Sequence, residues 1–115
     1  MRTERQRLGS QGEDAALAHL EQRGLVLVER NFLCKVGEID LVMRDGAQLV
    51  FVEVRRRADR KHGGAAASIG PRKQQRMQRA AEYYLLRYAR LPPCRFDVVA
   101  IDGGELSWLR NVLQM

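Results

Sequence analysis

The chain has 115 residues, 45% of them apolar and 30% charged, with a net charge of +6. That length supports one domain with a real core but not two, and the composition is that of a globular domain. No run approaches the roughly 20 apolar residues of a membrane helix, and the basic start, Met1 to Leu8, lacks an apolar stretch after its charges, so a cytoplasmic domain with no membrane attachment is expected.

Residues 1–8 are polar, basic and without period, and read as a loose arm at the start of the single domain, 1–115. Ser10 with Glu13 three residues on is a capping-box signal, so a helix is expected from Ser10 to about Arg23, stopped at Gly24. Its apolar stripe is Ala16, Leu17 and Leu20; Glu13 lies on that stripe and points toward the body of the fold, although a cap alone would account for it. Leu25 to Val28 is a short β-branched run ending at Glu29-Arg30-Asn31, expected to be a first strand.

Two further strands, Glu38 to Arg44 and Leu49 to Arg55, flank Asp45-Gly46, a strong hairpin signal. Alternation puts Glu38, Asp40 and Val42 on one face of the first, and Phe51, Glu53 and Arg55 on one face of the second. A two-residue turn at Asp45-Gly46 and a four-residue loop ending at Gln48 both bring Asp40 and Glu53 to the same side, whereas a slip by one residue separates them. Ile39, Leu41, Val50, Val52 and Val54 read as core on the opposite face. Carboxylates so close to a core need a neutralising partner: a metal ion, a bound proton or a basic side chain. Arg55 is such a side chain, and for an arbitrary hairpin a Glu53–Arg55 ion pair is the commoner explanation.

After Arg57 a glycine- and alanine-rich stretch, Gly63 to Gly70, is expected to be a mobile loop near the end of the third strand. Pro71 suits the first turn of a second helix, in which Met77, Ala80, Ala81, Tyr84, Leu85 and Tyr88 keep helical spacing as a buried face. The helix ends before Pro92-Pro93. A fourth strand, Arg95 to Ile101, should follow as a crossover parallel to the third, and a last strand, Glu105 to Arg110, should be anchored by Trp108. The predicted fold class is therefore α/β, with a mixed central sheet flanked by helices. Cys34 and Cys94 are solitary, and neither His19 nor His62 completes a zinc site, so both read as reduced core thiols.

Charge is unevenly spread. Arg55 to Arg90 holds eleven basic residues against two acids, a local +9 that leaves −3 for the rest of the chain. A segregated basic surface suits a polyanion, and nucleic acid is the expected partner. Arg56, Arg57, Arg60, Lys61, Arg72, Lys73, Arg76 and Arg79 are the candidate contacts.

An acid in helix one, an aspartate on strand two and Glu-x-basic on strand three, in the order α-β-β-β-α-β, resembles the PD-(D/E)xK nuclease superfamily. The strings Gln11-Gly12-Glu13, Gly37-Glu38-Ile39-Asp40, Phe51-Val52-Glu53-Val54, Pro71-Arg72-Lys73 and Arg95-Phe96-Asp97-Val98-Val99 resemble the YraN-type predicted endonucleases, which are similar to archaeal Holliday-junction resolvases. The resemblance spans nearly the whole chain. It implies a restriction-endonuclease-like αβββαβ core and a metal-dependent endonuclease that hydrolyses phosphodiester bonds in DNA. Asp40 and Glu53 would be carboxylate ligands of Mg²⁺, or Mn²⁺ in its place, with the Val54 carbonyl as a third oxygen and Glu13 approaching directly or through water. The catalytic set would be Glu13, Asp40, Glu53 and Arg55, and a homodimer would be the assembly.

One position departs from the pattern. Arg55 stands where the superfamily usually has lysine, and arginine cannot accept a proton from water at neutral pH. A second expectation is therefore a nuclease-fold module that binds nucleic acid with weak or no cutting, and a third is a domain whose basic helix meets an acidic protein. Lys73, at the start of the basic helix, is a candidate to reach the site from elsewhere.

Overall fold

A computed structural model describes residues 4–57 and 69–113. Seven elements follow one another: α1 (Glu4–Gln22), β1 (Val26–Cys34), β2 (Gly37–Asp45), β3 (Gln48–Arg57), α2 (Pro71–Leu85), β4 (Cys94–Asp102) and β5 (Glu105–Leu113). The strands form one sheet in the order β1-β2-β3-β4-β5. Only β3 and β4 pair parallel, with α2 as the connection that parallel neighbours require, and every other pair is antiparallel. This is a mixed α/β fold with a mostly antiparallel sheet and two helices.

Period-two patterning sends apolar side chains of the central strands to both faces, so each face needs a cover. On one face Leu41, Met43, Val50, Val52, Val99 and Ile101 bury against Ala16 and Leu20 of α1. On the other, Val42, Leu49, Phe51 and Phe96 bury against Met77, Ala80, Ala81, Tyr84 and Leu85 of α2, the stripe its spacing predicts except for Tyr88, which lies past the end of the helix and packs there partly buried. Tyr84 is the centrepiece of that second layer, meeting Phe32 edge-on at 5.1 Å and Phe51 at 5.7 Å between ring centres. Ile39, expected on the face opposite Val42, belongs to the α2-side cluster as well.

Three expectations change. First, α1 starts at Glu4, so residues 4–8 are helical rather than a loose arm, and Ser10 lies inside the helix instead of capping it. The segment before Ser10 is rich in glutamate, arginine and glutamine, good helix formers that extend the helix past a weaker local signal. Second, β1 continues through Glu29-Arg30-Asn31 to Cys34. Its register shifts between Leu27 and Glu29, and Asn31 adopts φ 54°, so a bulged strand absorbs a polar stretch that reads as a terminator. Third, β5 extends past Arg110 to Leu113. The expected loop at 58–68, with Arg60 and Lys61, lies outside the described residues.

The hairpin closes with Asp45 paired to Gln48 across Gly46-Ala47, which matches the loop ending at Gln48. Near that turn, fully buried Asp97 ties β4 to its neighbours. It accepts from Arg95 Nε at 3.0 Å, Trp108 Nε1 at 3.0 Å and the Asn111 main-chain N–H at 2.9 Å, while Arg95 also donates to Asp45 and Gln48 at the hairpin turn. Every oxygen of that buried carboxylate is used, so Asp97 is structural. No helix among the described residues is long and apolar enough to cross a membrane.

Candidate active site

The β2–β3 register pairs Val42 with Phe51 and ends with Leu41 against Val52, immediately before Asp40 on one strand and Glu53 on the other. There the main-chain ladder gives way to a side chain. The Val54 N–H donates to Asp40 Oδ2 at 2.8 Å, which fixes the aspartate on the hairpin. Glu53 is only 2% exposed, packed among the apolar side chains beside it. Its Oε2 atom is buried with no hydrogen-bond partner.

Burial and mutual repulsion shift both groups. Asp40 is pushed up to about 8, chiefly by burial and then by the neighbouring Glu53 charge, with the Val54 N–H acting against the rise. Glu53 is also raised by burial, and Lys73 and Arg55 oppose that rise. Two interacting carboxyls with this little access to water do not both ionise readily unless positive charge arrives. The pair is short of cations.

Two cations partly answer it. Lys73 Nζ lies 3.3 Å from Glu53 Oε1, and Arg55 NH1 stands 4.0 Å from the same atom. Lys73 reaches the strand because α2 packs closely on the start of β2. A Cβ at Gly37 would lie 2.8 Å from the Arg76 carbonyl oxygen, so a residue without a side chain is what permits this approach. The sequence offered Lys73 both as a nucleic-acid contact and as a residue able to reach the site; the structure pairs it with the buried glutamate.

The same geometry decides the other candidates. Glu13 adds to the negative charge felt by Asp40 and lies 3.4 Å from Arg30 NH2, which also holds Asp14 at 2.9 Å. With its amide turned to donate, Asn31 lies 3.1 and 3.2 Å from the two Glu13 oxygens. Among the described residues no three Asp, Glu, His or Cys side chains gather into one group able to hold a metal ion. Glu38 is exposed and adds to the repulsion felt by Asp40. Arg30 and Asn31 were missed because a polar triplet after an apolar run carries a turn signal in sequence, not a sign of contact with a helix.

The basic residues divide between surfaces. Arg72, Arg76 and Arg79 are exposed on α2, whereas Arg56 runs beside Gly12 of α1, where a Cβ would meet its Cδ at 3.7 Å. Alternation along β3 thus places Arg55 and Arg57 toward α2 and Arg56 toward α1.

All of these site residues on α1, β2, β3 and α2 fall within residues 12–101, the span that matches the Uncharacterised protein family UPF0102. The chain belongs to the UPF0102 family. Among its relatives, a UPF0102 protein of Herminiimonas arsenicoxydans is 60% identical over 113 residues, covering 98% of this chain and 91% of the relative. One from Janthinobacterium sp. (strain Marseille) is 59% identical, covering 98% and 92%. Another, from Cupriavidus metallidurans, is 59% identical over 95% of this chain and 82% of its own length. The YraN-type resemblance read from the sequence is to this UPF0102 family.

The donor set fits a hard, oxygen-preferring dication: two carboxyls raised by burial and mutual repulsion, one with an orphaned oxygen. Nothing in the pair suits a softer metal, since neither Cys34 nor Cys94 nor His19 joins it.

Proposed function

We propose that this UPF0102 chain is a metal-dependent DNA endonuclease with a restriction-endonuclease-like core of the PD-(D/E)xK type. The observation that carries this reading is the pair of half-buried Asp40 and buried Glu53, both raised, with Glu53 Oε2 left without a partner beside two cations. A purely structural pair would be satisfied on every oxygen, as Asp97 is.

In this reading Asp40 and Glu53 hold Mg²⁺, or Mn²⁺, with the main-chain carbonyl of Val54 as the neutral oxygen. The bound ion supplies positive charge against the charge developing on the phosphate, and a polarised water for attack. The Val54 N–H keeps Asp40 from turning away, and burial keeps bulk water off Glu53. Arg55 stays protonated throughout, so its task is to hold a phosphate oxygen rather than to take a proton. Arg72, Arg76 and Arg79 lie exposed on the same helix as Lys73 and extend the positive surface along which a phosphate backbone would run. Glu13 acts at one remove, through Arg30 and Asn31. A pair of copies is the assembly that the likeness to junction resolvases implies, and the cytoplasm is the compartment.

The test is incubation of the purified protein with branched, flapped and linear DNA in Mg²⁺ or Mn²⁺, beside an Asp40→Ala variant. Cleavage that disappears in the variant is the expected result; equal cleavage by both rejects the site. A second reading, a nucleic-acid-binding module that does not cut, is favoured by Arg55 at the usual lysine position and by the lack, among the described residues, of three acidic, His or Cys side chains in one metal-holding group. It predicts DNA binding that survives Asp40→Ala without any cleavage by the parent protein.

A further inference from the structure

Lys73 occupies an unusual position for a member of a basic helix face. Its neighbours Arg72 and Arg76 are exposed, yet its own ammonium turns inward to Glu53 Oε1 at 3.3 Å, closer than Arg55 at 4.0 Å. Glu53 is nine-tenths buried and more, so this cation compensates a carboxylate that water reaches poorly. The side chain of Lys73 is itself 30% exposed. The ammonium is thus held at the carboxylate pair by a flexible stem that solvent reaches, on the helix that carries the positive surface.

We infer that Lys73 is an exchangeable counter-cation of Glu53, which gives the carboxylate up to an incoming divalent ion and takes a DNA phosphate as its new partner. This rests on the nuclease reading above and adds to it a rule of assembly: metal and DNA bind cooperatively because each relieves a cost that the other imposes. A dication beside Asp40 and Glu53 repels the ammonium at close range and takes its partner. A phosphate on the surface formed by Arg72 and Arg76 offers the displaced ammonium an oxygen it lacks without DNA. By linkage the coupling runs both ways, so DNA raises affinity for the metal by the factor with which the metal raises affinity for DNA. Lysine suits this task better than arginine, being a compact charge on a flexible stem. Only the partner of Lys73 changes in this exchange.

Mn²⁺ binding to the full chain, followed by loss of the free-ion electron paramagnetic resonance signal, tests this without any need for turnover. Titrations are made with the parent, Lys73→Met, Lys73→Arg and Lys35→Met, first alone and then with a short single-stranded oligodeoxynucleotide of phosphorothioate linkages. The expected result is that Lys73→Met binds Mn²⁺ at least about fivefold more tightly than the parent without DNA, and that the gain on adding DNA shrinks correspondingly. Lys73→Arg, which keeps the charge, stays close to the parent, and Lys35→Met, which removes an exposed cation from the β1–β2 turn, changes nothing. Metal binding by Lys73→Met that equals or falls below that of the parent overturns the exchange while leaving the nuclease reading in place. Failure of the parent and Lys73→Met alike to bind Mn²⁺ overturns both. Thermal melting of each variant confirms that the comparison is between folded proteins, with Lys73→Arg deciding the matter if Lys73→Met does not fold: a change in its DNA-linked gain of more than about fivefold counts against the inference.

Discussion

The Lys73 ammonium lies 3.3 Å from the Glu53 carboxylate although one is carried by α2 and the other by β3. Arg55, two residues along the same strand from Glu53, stands further off at 4.0 Å. Lys73→Ala is therefore expected to lower single-turnover cleavage of DNA by roughly 100-fold, the usual scale for losing a charge aimed at the transition state. Arg55→Ala should cost less, about tenfold. The opposite order would return the main role to the strand.

Metal-free protein should lose stability as pH rises. An acid whose folded-state pKa lies above its unfolded value binds more protons when folded across the interval between the two, so stability falls with rising pH in that window. Asp40 sets the interval, from its ordinary value of 3.8 to about 8. In EDTA the melting temperature is expected to drop between about pH 5 and pH 8, and Asp40→Asn should flatten that slope. Mn²⁺ added at the upper end should restore the loss. A melting temperature that does not change across the range would show that the pair is solvated.

Gly37→Ala tests how α2 is seated. The added methyl meets the Arg76 carbonyl oxygen at 2.8 Å, too near for either backbone to remain in place. A cost of about 1–3 kcal/mol in urea unfolding is expected from the overpacking. Cleavage should fall further than the remaining folded fraction explains, because the helix that moves is the one bearing Lys73.

Asp97→Ala leaves Arg95, which is 12% exposed, without its main partner, and strips Trp108 and the Asn111 N–H of their acceptor. Breaking a buried pair from one side costs about 3–5 kcal/mol. Chemical denaturation should register that loss. DNA affinity of the folded fraction should be unchanged.

DNA binding should weaken with salt, and removing Arg72, Arg76 and Arg79 together should reduce the slope of log affinity against log salt by about 2–3. Arg56→Ala should reduce it less, since that side chain lies beside α1. Fluorescence anisotropy across a salt series measures both slopes.

The sequence made the hairpin and its acids legible because period-two alternation and a glycine turn leave few registers in which both faces are buried. The α2 stripe was equally plain, since Met77, Ala80, Ala81, Tyr84 and Leu85 repeat with the helix. Lys73 was visible as a charge on a basic helix and as a candidate to reach the site, but without a named partner. Its contact with Glu53 depends on how closely α2 approaches β2, and the glycine that permits this approach names no partner in sequence. The start of α1 was misplaced because a Ser-x-x-Glu string looks the same at the end of a helix as within one. Arg30 and Asn31 were lost inside a bulged strand whose positive φ at Asn31 no periodic pattern can display. Local order was readable, while contacts made through the docking of separate elements were not.

The parallel seam between β3 and β4 has a consequence for how this architecture tolerates change. Both acids ride on one two-stranded ribbon whose geometry is closed by Gly46-Ala47, whereas the ammonium arrives only after the chain has left the sheet and returned. Insertions or deletions between residues 57 and 71 would leave the spacing of the carboxyls untouched. Such variation retunes the cationic half of the centre independently of the anionic half.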